Sequence, residues 1–215
     1  MSNSAIDLNR SSTCRVCGMK HAVQFDGPAG RVIARVMARQ NRDAEREAIE
    51  VLDPRSTDRV VAIGVGAGVG VELLARRVAS VHAVDPSQVM VEATTRRNRE
   101  AIEQGRVTVD RTTADRLDVP DDSVDGVIAV NTIQMFDPLG PSLAEIARVL
   151  RPGSRFVTLT HDWAIERSTR RTVEAWTQWV EVHAREVGLG RMRWWRAVAE
   201  GGRSVAMTLT KEQDR

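Results

Sequence analysis

Short apolar runs alternate with segments of helical periodicity through the middle of the chain. The runs predict five strands, placed at Arg59 to Ile63, Val81 to Val84, Val107 to Arg111, Gly126 to Val130 and Arg155 to Leu159. The periodic segments between them predict helices from about Val69 to Ala79, from Pro86 onward and from Pro141 to Leu150. Alternating strands and helices are typical of a parallel sheet covered on both faces, so the pattern predicts a doubly wound α/β fold.

Two flanking regions extend this pattern. Before the first strand, apolar residues from Val32 to Leu52 recur at helical spacing, with a break expected in the polar stretch from Gln40 to Glu47. After the fifth strand, the sequence predicts a helix from about Ile165 to Val187 and then two strand-like runs, Met192 to Ala199 and Ser204 to Thr210. The Gly-Gly pair between these runs indicates a C-terminal hairpin.

The densest cluster of glycines directly follows the first predicted strand, as Gly64-Val65-Gly66-Ala67-Gly68-Val69-Gly70. Glycines allow a tight turn and a close ligand approach, while Asp85, at the end of the second strand, can accept hydrogen bonds from ribose hydroxyls. The spacing fits neither the dinucleotide fingerprint G-x-G-x-x-G in any register nor a phosphate loop. An adenosine cofactor without phosphate fits better, S-adenosyl-L-methionine (SAM) being the common one. A purely structural turn is the alternative.

Four segments, in the correct order, resemble the motifs of one family. The glycine turn resembles V-L-E-I-G-x-G-x-G, and Val84 to Met90 resembles V-D-x-S-x-x-M. Thr112 to Asp125 resembles G-D-A-E-D-L-P-F-P-D-N-S-F-D, and Glu145 to Arg155 resembles E-x-x-R-V-L-R-P-G-G-R. From Val60 to Leu159 the chain therefore resembles a class I SAM-dependent methyltransferase of the small, ubiquinone-biosynthesis-like type 11 kind.

The resemblance implies a Rossmann-like fold with a mostly parallel seven-stranded sheet and a C-terminal antiparallel hairpin. It implies SAM as the cofactor and methyl transfer to a small-molecule acceptor. Ligands of such sheets bind beyond the carboxyl ends of the strands. The cofactor-binding residues expected there are Gly64, Val65, Gly66, Gly68, Asp85, Pro86, Met90, Ala114, Asp115, Asn131 and Thr132.

Each part of the cofactor has an expected contact. The glycine turn is expected to approach the methionine and ribose portions, and Asp85 to hold the ribose diol or to cap the following helix. Met90 is expected to pack on the adenine, and the backbone N–H of Ala114 to meet the adenine edge. Asn131 and Thr132 are expected to line the floor near the sulfonium.

Two departures from the family pattern concern this site. Ala62 stands where the family has an acid inside the first strand, and Thr113 stands where it has the adenine-contacting Asp. Each lost hydrogen bond to a charged partner is worth about 1.5–3 kcal/mol at most, so lower affinity is expected without loss of binding. Asp115 or the Thr113 hydroxyl can substitute. These departures also keep open a noncatalytic SAM-binding sensor or scaffold on the same fold.

Methyl transfer is an in-line displacement that gains mainly from positioning and exclusion of water. A base is needed only for a protonated acceptor, and His161 after the fifth strand is the candidate, with a purely structural role as the alternative. Trp163 is a candidate for reaching the pocket. Trp176, Trp179, Trp194 and Trp195 are expected to seal the far side of the core or a dimer contact.

The N-terminal extension carries a further set of candidates. In the resembled family such an extension folds over the cofactor, which makes His21, Phe25 and Met37 candidates for lining the substrate site. Cys14, Cys17 and His21 supply three of the four ligands that a zinc site needs, so no metal site is expected. Reduced thiols are favoured, with a redox or disulfide pair as the alternative.

Composition agrees with one globular domain. The chain has 215 residues, of which 42% are hydrophobic, and we expect residues 1–27 to be a mobile tail. Residues 28–215 are expected to form a single domain with an N-terminal helical cap over about 28–55. The net charge of +2 comes from interspersed charges of both signs, which disfavours nucleic-acid binding. Without an apolar run long enough for a membrane span or a signal segment, a cytoplasmic protein is expected, and a homodimer stays open.

Overall fold

A computed structural model describes residues 41–213 of the chain. The tail expected at residues 1–27 and the first part of the expected helical cap lie outside the described residues. The same holds for the candidates Cys14, Cys17, His21, Phe25 and Met37.

Seven strands are found among the described residues, numbered here in chain order. They are β1 (Arg59–Ile63), β2 (Ser80–Val84), β3 (Val107–Asp110), β4 (Val124–Val130), β5 (Leu150–His161), β6 (Leu189–Arg196) and β7 (Ser204–Lys211). They form one sheet in the order β3-β2-β1-β4-β5-β7-β6. Strands β1 to β5 pair in parallel, and β7 pairs antiparallel with β5 and β6. This confirms the mostly parallel seven-stranded sheet and the C-terminal antiparallel strands.

Helices cover both faces of this sheet. The described α-helices are α1 (Arg42–Leu52), α2 (Val69–Ala75), α3 (Gln88–Arg97), α4 (Arg99–Glu103), α5 (Leu139–Val149), α6 (Asp162–Thr169) and α7 (Val173–Glu186). Two short 3-10 helices lie at Ile133–Met135 and Ala199–Gly202. Helices α1 and α2 pack into one core and α5 and α7 into another, on opposite faces of the sheet. The doubly wound α/β architecture is confirmed.

The central strand β1 explains how one apolar run serves both cores. Val60 and Ala62 join the core with α1 and α2, while Val61 and Ile63 join the core with α5 and α7. All four side chains are buried because successive residues of a strand point to opposite faces. Ala62 is therefore directed towards α1 and α2.

Several helices begin or end at other residues than the sequence pattern predicts. Helix α2 ends at Ala75 rather than Ala79, and α3 begins at Gln88 rather than Pro86 because the Ser87 hydroxyl accepts the backbone N–H of Met90 at 3.4 Å. Helix α5 begins at Leu139, two residues before Pro141, which a first helical turn accommodates because its N–H needs no partner there. Helix α1 begins at Arg42, inside the stretch where a break was predicted.

The C-terminal region differs more from the sequence pattern. The single predicted helix is two helices, α6 and α7, separated at Arg170, which has a φ of 57°, and Thr172 caps α7. Strand β6 ends at Arg196 rather than Ala199, because a 3-10 helix replaces the tight hairpin turn. Strand β5 begins at Leu150, five residues before the prediction, and its register against β4 is interrupted by a bulge. Helix α4 was not predicted.

Candidate functional site

The glycine turn lies at the carboxyl end of β1, between the central strand and α2. Gly64, Gly66 and Gly68 have φ values of 67°, 52° and 76°, the left-handed region that favours glycine. A Cβ on Gly64 would overlap the Thr132 side chain, and one on Gly68 would meet α3. A Cβ on Gly66 would meet nothing within 4 Å. The turn is thus packed on two sides and open at Gly66.

Side chains at the end of helix α3 bind the carbonyl groups of the glycine turn. The Thr94 hydroxyl donates to the Gly66 carbonyl at 2.9 Å, and the Asn98 amide donates to the Gly68 carbonyl at 3.2 Å. Both side chains are buried and lie one helical turn apart. Neither residue was predicted from the sequence. Their signal was a pair of polar residues at a spacing of four in an otherwise amphipathic helix.

Asp85 joins the end of β2 to the glycine turn. Its buried carboxylate accepts the backbone N–H of Gly66 at 3.0 Å through Oδ2 and that of Ser87 at 2.9 Å through Oδ1. The Ser87 bond belongs to the helix-capping role considered from the sequence, and the Gly66 bond links the two motifs across 19 positions. The structure therefore brings Asp85 and the open part of the turn together.

Thr132, Asn131 and His161 lie where β4 and β5 end. The Thr132 hydroxyl donates to the Gly64 carbonyl at 3.3 Å, which connects this region to the glycine turn. The Asn131 amide oxygen accepts the backbone N–H of His161 at 3.0 Å, and its nitrogen lies 2.9 Å from His161 Nε2. Asn131 adopts a φ of 54°, an uncommon conformation for a residue other than glycine.

This arrangement fixes the tautomer of His161. Because the Asn131 amide nitrogen can only donate, Nε2 accepts and the ring proton lies on Nδ1, 2.8 Å from the Ser204 hydroxyl. The buried ring stacks on Trp163 with centroids 5.9 Å apart, and Trp163 is 61% exposed. The other tryptophans differ, since Trp176 is fully buried in the core while Trp194 is 43% exposed.

The loop after β3 carries Ala114 and Asp115, and an ion pair on α5 fixes its end. Ala114 is buried, whereas Asp115 is exposed. Glu145 accepts the backbone N–H of Leu117 at 2.7 Å and pairs with Arg148 at 2.8 Å. Arg148 also donates to the carbonyls of Leu117 and Val119. The Arg148 hydrogen bond lowers the pKa of Glu145, although burial opposes the shift.

The remaining expected cofactor residues differ in accessibility. Met90 is buried on α3, and Val65 is buried in the turn. Pro86 is partly exposed, and its carbonyl accepts from Arg111 Nε at 3.1 Å. Met90 belongs to neither of the two main apolar cores, and its backbone N–H bonds the Ser87 hydroxyl, while the backbone N–H of Ser87 bonds Asp85.

A narrow cleft lies beneath the glycine turn. It is lined by residues 62–65, by the first turns of α2, by Ile128 and Val130 of β4, and by Glu45 of α1. Ala62, which stands in place of the family's acid, and Glu45 thus border the same cleft. Burial raises the pKa of Glu45 from 4.5 to about 8. The sequence analysis did not name Glu45, because the contact joins residues far apart in the chain.

Two further classes of site are absent from the described part of the chain. Among residues 41–213 no cluster of three or more His, Cys, Asp or Glu side chains could hold a metal ion. None of the helices described there is both long and apolar enough to cross a membrane.

Sequence comparison identifies the central region. Residues 61–158 match the family described as a methyltransferase domain. An uncharacterized methyltransferase of Mycobacterium bovis is 36% identical over 109 residues, which make up 51% of this chain and 42% of that relative. The match thus spans less than half the length of this curated relative.

Solved structures share the overall fold. A chain from the complex of the Haloferax volcanii Trm112 methyltransferase activator with a methyltransferase superposes with a TM-score of 0.74 at 18% identity, over 90% of this chain and 98% of that one. A protein of Methanococcus maripaludis described as an S-adenosyl-L-methionine-dependent methyltransferase gives a TM-score of 0.70 at 14% identity, over 89% and 95%. Residues 61–158 of the chain are therefore similar to a methyltransferase domain, and the chain shares its fold with these two solved structures.

Proposed function

We propose that the protein binds SAM at the carboxyl edge of its sheet and transfers the methyl group to a small-molecule acceptor. The observation that supports this most is the link between Asp85 and the open glycine at position 66. A carboxylate at a strand end beside an unobstructed main chain is the arrangement that holds a ribose in folds of this class.

The described residues fit an adenosine cofactor without a phosphate. The turn presents an open face at Gly66, and no lysine or arginine side chain is among those that bond the Gly66 and Gly68 carbonyls. Arg97 donates to the Ala67 carbonyl from outside the turn and pairs with Glu72. Among residues 41–213, the Gly66 main chain bonds Asp85 and Thr94, neither of which is cationic. The fit supports SAM over a dinucleotide.

The chain's own residues would hold and orient the bound nucleoside. Asp85 would keep Oδ1 on Ser87, and Oδ2, which accepts the Gly66 N–H, would also accept from a ribose hydroxyl, while Gly66 allows close approach of the sugar. Met90 and the Ala114 backbone would contact the adenine. We also propose that α1 is the described part of the N-terminal cap of a single domain.

Catalysis in this proposal depends mainly on positioning and on a proton acceptor. When bound, SAM supplies a methyl group on a cationic sulfur, and transfer leaves the neutral thioether S-adenosylhomocysteine. His161 is the candidate base for a protonated acceptor, and it would exchange its Nε2 bond with Asn131 to take that proton. The exposed face of Trp163 beside it offers an apolar surface for the acceptor.

Calorimetric titration with SAM, S-adenosylhomocysteine and NAD tests the binding site. SAM and S-adenosylhomocysteine are expected to bind, and Asp85→Ala is expected to weaken both about 10- to 100-fold, the value of a charged hydrogen bond. Asp43→Ala, an exposed carboxylate on α1, is the matched control and should leave affinity unchanged. Binding of NAD, or an Asp85→Ala affinity within about twofold of the wild type, would contradict the proposal.

A second measurement separates an enzyme from a noncatalytic sensor. Labelled methyl groups from SAM are followed into a metabolite extract, with the Asp85→Ala variant as the negative control. Transfer to a small molecule supports the enzyme. SAM binding without transfer to any component would favour the sensor, which the substitutions at Ala62 and Thr113 keep as the second candidate.

A further inference from the structure

Among the described residues that line the cleft beneath the glycine turn, Glu45 is the one with a polar side chain, since the others are glycines or have aliphatic side chains. Its carboxylate lies against Gly70 in the first turn of α2, so closely that a Cβ at that position would overlap it. The side chain is partly buried, and it shares the cleft with Ala62, Gly64 and Val65. The cleft therefore connects Glu45 to the beginning of the glycine turn.

The carboxyl group has no partner among residues 41–213. No hydrogen bond or ion pair to it is found there, and burial accounts for the rise of its pKa to about 8. A carboxyl group without a hydrogen bond in apolar surroundings lowers stability, and a charged group lowers it more. A carboxyl group retained despite this loss of stability is expected to meet a partner from outside the described residues, such as a bound ligand.

We propose that the Glu45 carboxylate pairs with the α-ammonium group at the methionine end of SAM, replacing the acid that the chain lacks at Ala62. The inference rests on the proposed function, because it needs the cofactor in the cleft beneath the glycine turn. It assigns a cofactor contact to α1, a helix outside the matched residues 61–158.

The position of Glu45 selects the ammonium group. Asp85, the expected ribose contact, bonds Gly66, whereas the cleft borders Gly64 and Val65 at the start of the same turn. The Glu45 carboxylate and Asp85 thus contact different residues of this region, Gly70 and Gly66, which leaves the methionine end of the cofactor for Glu45. An ammonium group is a compact cation with several donors, and its ion pair with a desolvated carboxylate favours the ionised form of the acid.

Within residues 41–213, the surrounding charged groups do not provide a partner for the Glu45 carboxyl group. The other charged groups on α1 and on the elements packed against it have contacts of their own. On α1, Arg46 pairs with Asp43, and Glu47 accepts the Val198 N–H. On the neighbouring α2, β4 and β5, the contacts are Glu72 with Arg76 and Arg97, Asp125 with Arg151, Arg155 with the Leu52 carbonyl, and His161 with Asn131 and Ser204. Arg42 and Glu50 are exposed on α1.

Two ligands that differ only in the amino group test the proposal. S-adenosylhomocysteine carries the ammonium group, and its deaminated analogue has hydrogen in that place. Glu45→Gln is expected to weaken binding of S-adenosylhomocysteine about 10- to 100-fold and binding of the analogue less than about twofold. Glu50→Gln, an exposed change on the same helix, is the matched control and should alter neither affinity.

The other outcomes each overturn a distinct part. An equal loss for both ligands would show that Glu45 only maintains the fold of the cleft. A loss for SAM without a loss for S-adenosylhomocysteine would assign Glu45 to the sulfonium instead. If the wild type binds neither SAM nor S-adenosylhomocysteine, the proposed function itself fails, which is distinguishable from failure at Glu45.

Proton release gives a second readout that does not depend on activity. At pH 7 a carboxyl group with a pKa of about 8 is mostly protonated, and pairing with the ammonium group ionises it. Calorimetry in buffers of different ionisation enthalpy is expected to show release of close to one proton per bound S-adenosylhomocysteine. Glu45→Gln should abolish this release, and an unchanged release in that variant overturns the proposal.

Discussion

Glu45 and Glu145 are two partly buried carboxyl groups in opposite situations. Glu145 pairs with Arg148 and accepts the Leu117 N–H, and these contacts lower its pKa. Glu45 has no such contact within residues 41–213, and burial raises its pKa to about 8. Glu145 therefore stabilises the fold through internal contacts, whereas the Glu45 carboxyl group has no such contact within residues 41–213.

The difference follows from what each acid holds in place. Glu145 and Arg148 match the motif E-x-x-R of the resembled family and fix the loop that carries Ala114. Glu45 lies beside Ala62, where the family's motif is broken. Glu145 and Arg148 form a clamp that holds the loop in place, whereas the Glu45 carboxyl group beside Ala62 has no partner within residues 41–213.

The largest effect is expected from removing the cation of the clamp. Arg148→Met leaves Glu145 and two loop carbonyls without their donor, and we expect it to lower the free energy of unfolding by about 3 kcal/mol. Urea denaturation measures this loss. Arg96→Met, which removes an exposed pair with Glu92, is the control and should cost at most about 0.5 kcal/mol. Equal effects of the two substitutions would mean that the clamp does not stabilise the loop.

Glu45→Gln is expected to stabilise the protein without cofactor at alkaline pH. The pKa of Glu45 is higher in the folded chain than in the unfolded one, so its contribution to stability is present below pH 4.5 and is lost as pH rises through about 8. The amide removes that loss. At pH 8 the variant should gain about 2 kcal/mol, a value reduced for partial exposure, and at pH 4 nothing.

The control for this measurement is Glu50→Gln on the exposed side of α1. Its stability should follow the wild type at each pH, because an exposed group gains little from either charge state. Thermal unfolding from pH 4 to pH 8 records all three proteins. Parallel curves for the wild type and Glu45→Gln would show that the Glu45 carboxyl group is solvated.

Glu145→Gln should show the opposite dependence on pH. The pKa of Glu145 is lowered in the folded chain, so its contribution is present above the unfolded value of 4.5 and is lost as pH falls through the folded value. We expect the variant to lose about 1 kcal/mol at pH 7 and progressively less below pH 4.5. A loss that stays constant down to pH 3 would assign the effect to packing rather than to charge.

Local patterns predicted much of the fold. The bounds of β1 were predicted correctly, because a buried run between an exposed arginine and a glycine turn has clear ends. The break at Arg170 between α6 and α7 was missed, because no glycine or proline marks it. The 3-10 helix before β7 was missed because its Gly-Gly pair is also the signal of a tight turn.

The candidate site was predictable where one motif contains its contacts. Asp85 and the glycine turn were named from the sequence and are joined by a hydrogen bond. Thr94 and Asn98 needed the packing of α3 against the turn, and Glu45 needed the packing of α1 against α2. Such contacts depend on tertiary structure, so periodicity alone cannot assign them.

The smallest change in stability is expected from Gly70→Ala, which tests where the Glu45 carboxylate lies. Alanine favours a helix by up to about 1 kcal/mol over glycine, but its Cβ would occupy the place of the carboxylate, which must rotate away. We therefore expect a net change within about 1 kcal/mol and a weaker fall of stability between pH 5 and pH 8, because the displaced carboxyl group becomes solvated.

Gly140→Ala is the matched control for this change. Gly140 is also the second residue of its helix, α5, and a Cβ there would meet only the His183 ring, at an ordinary 3.8 Å. It should gain the helical preference and keep the pH dependence of the wild type. If Gly70→Ala keeps that dependence too, the Glu45 carboxyl group does not lie against α2. The raised pKa of Glu45, in contrast to the lowered pKa of Glu145, would then have to come from burial of the Glu45 side chain at another place on α1.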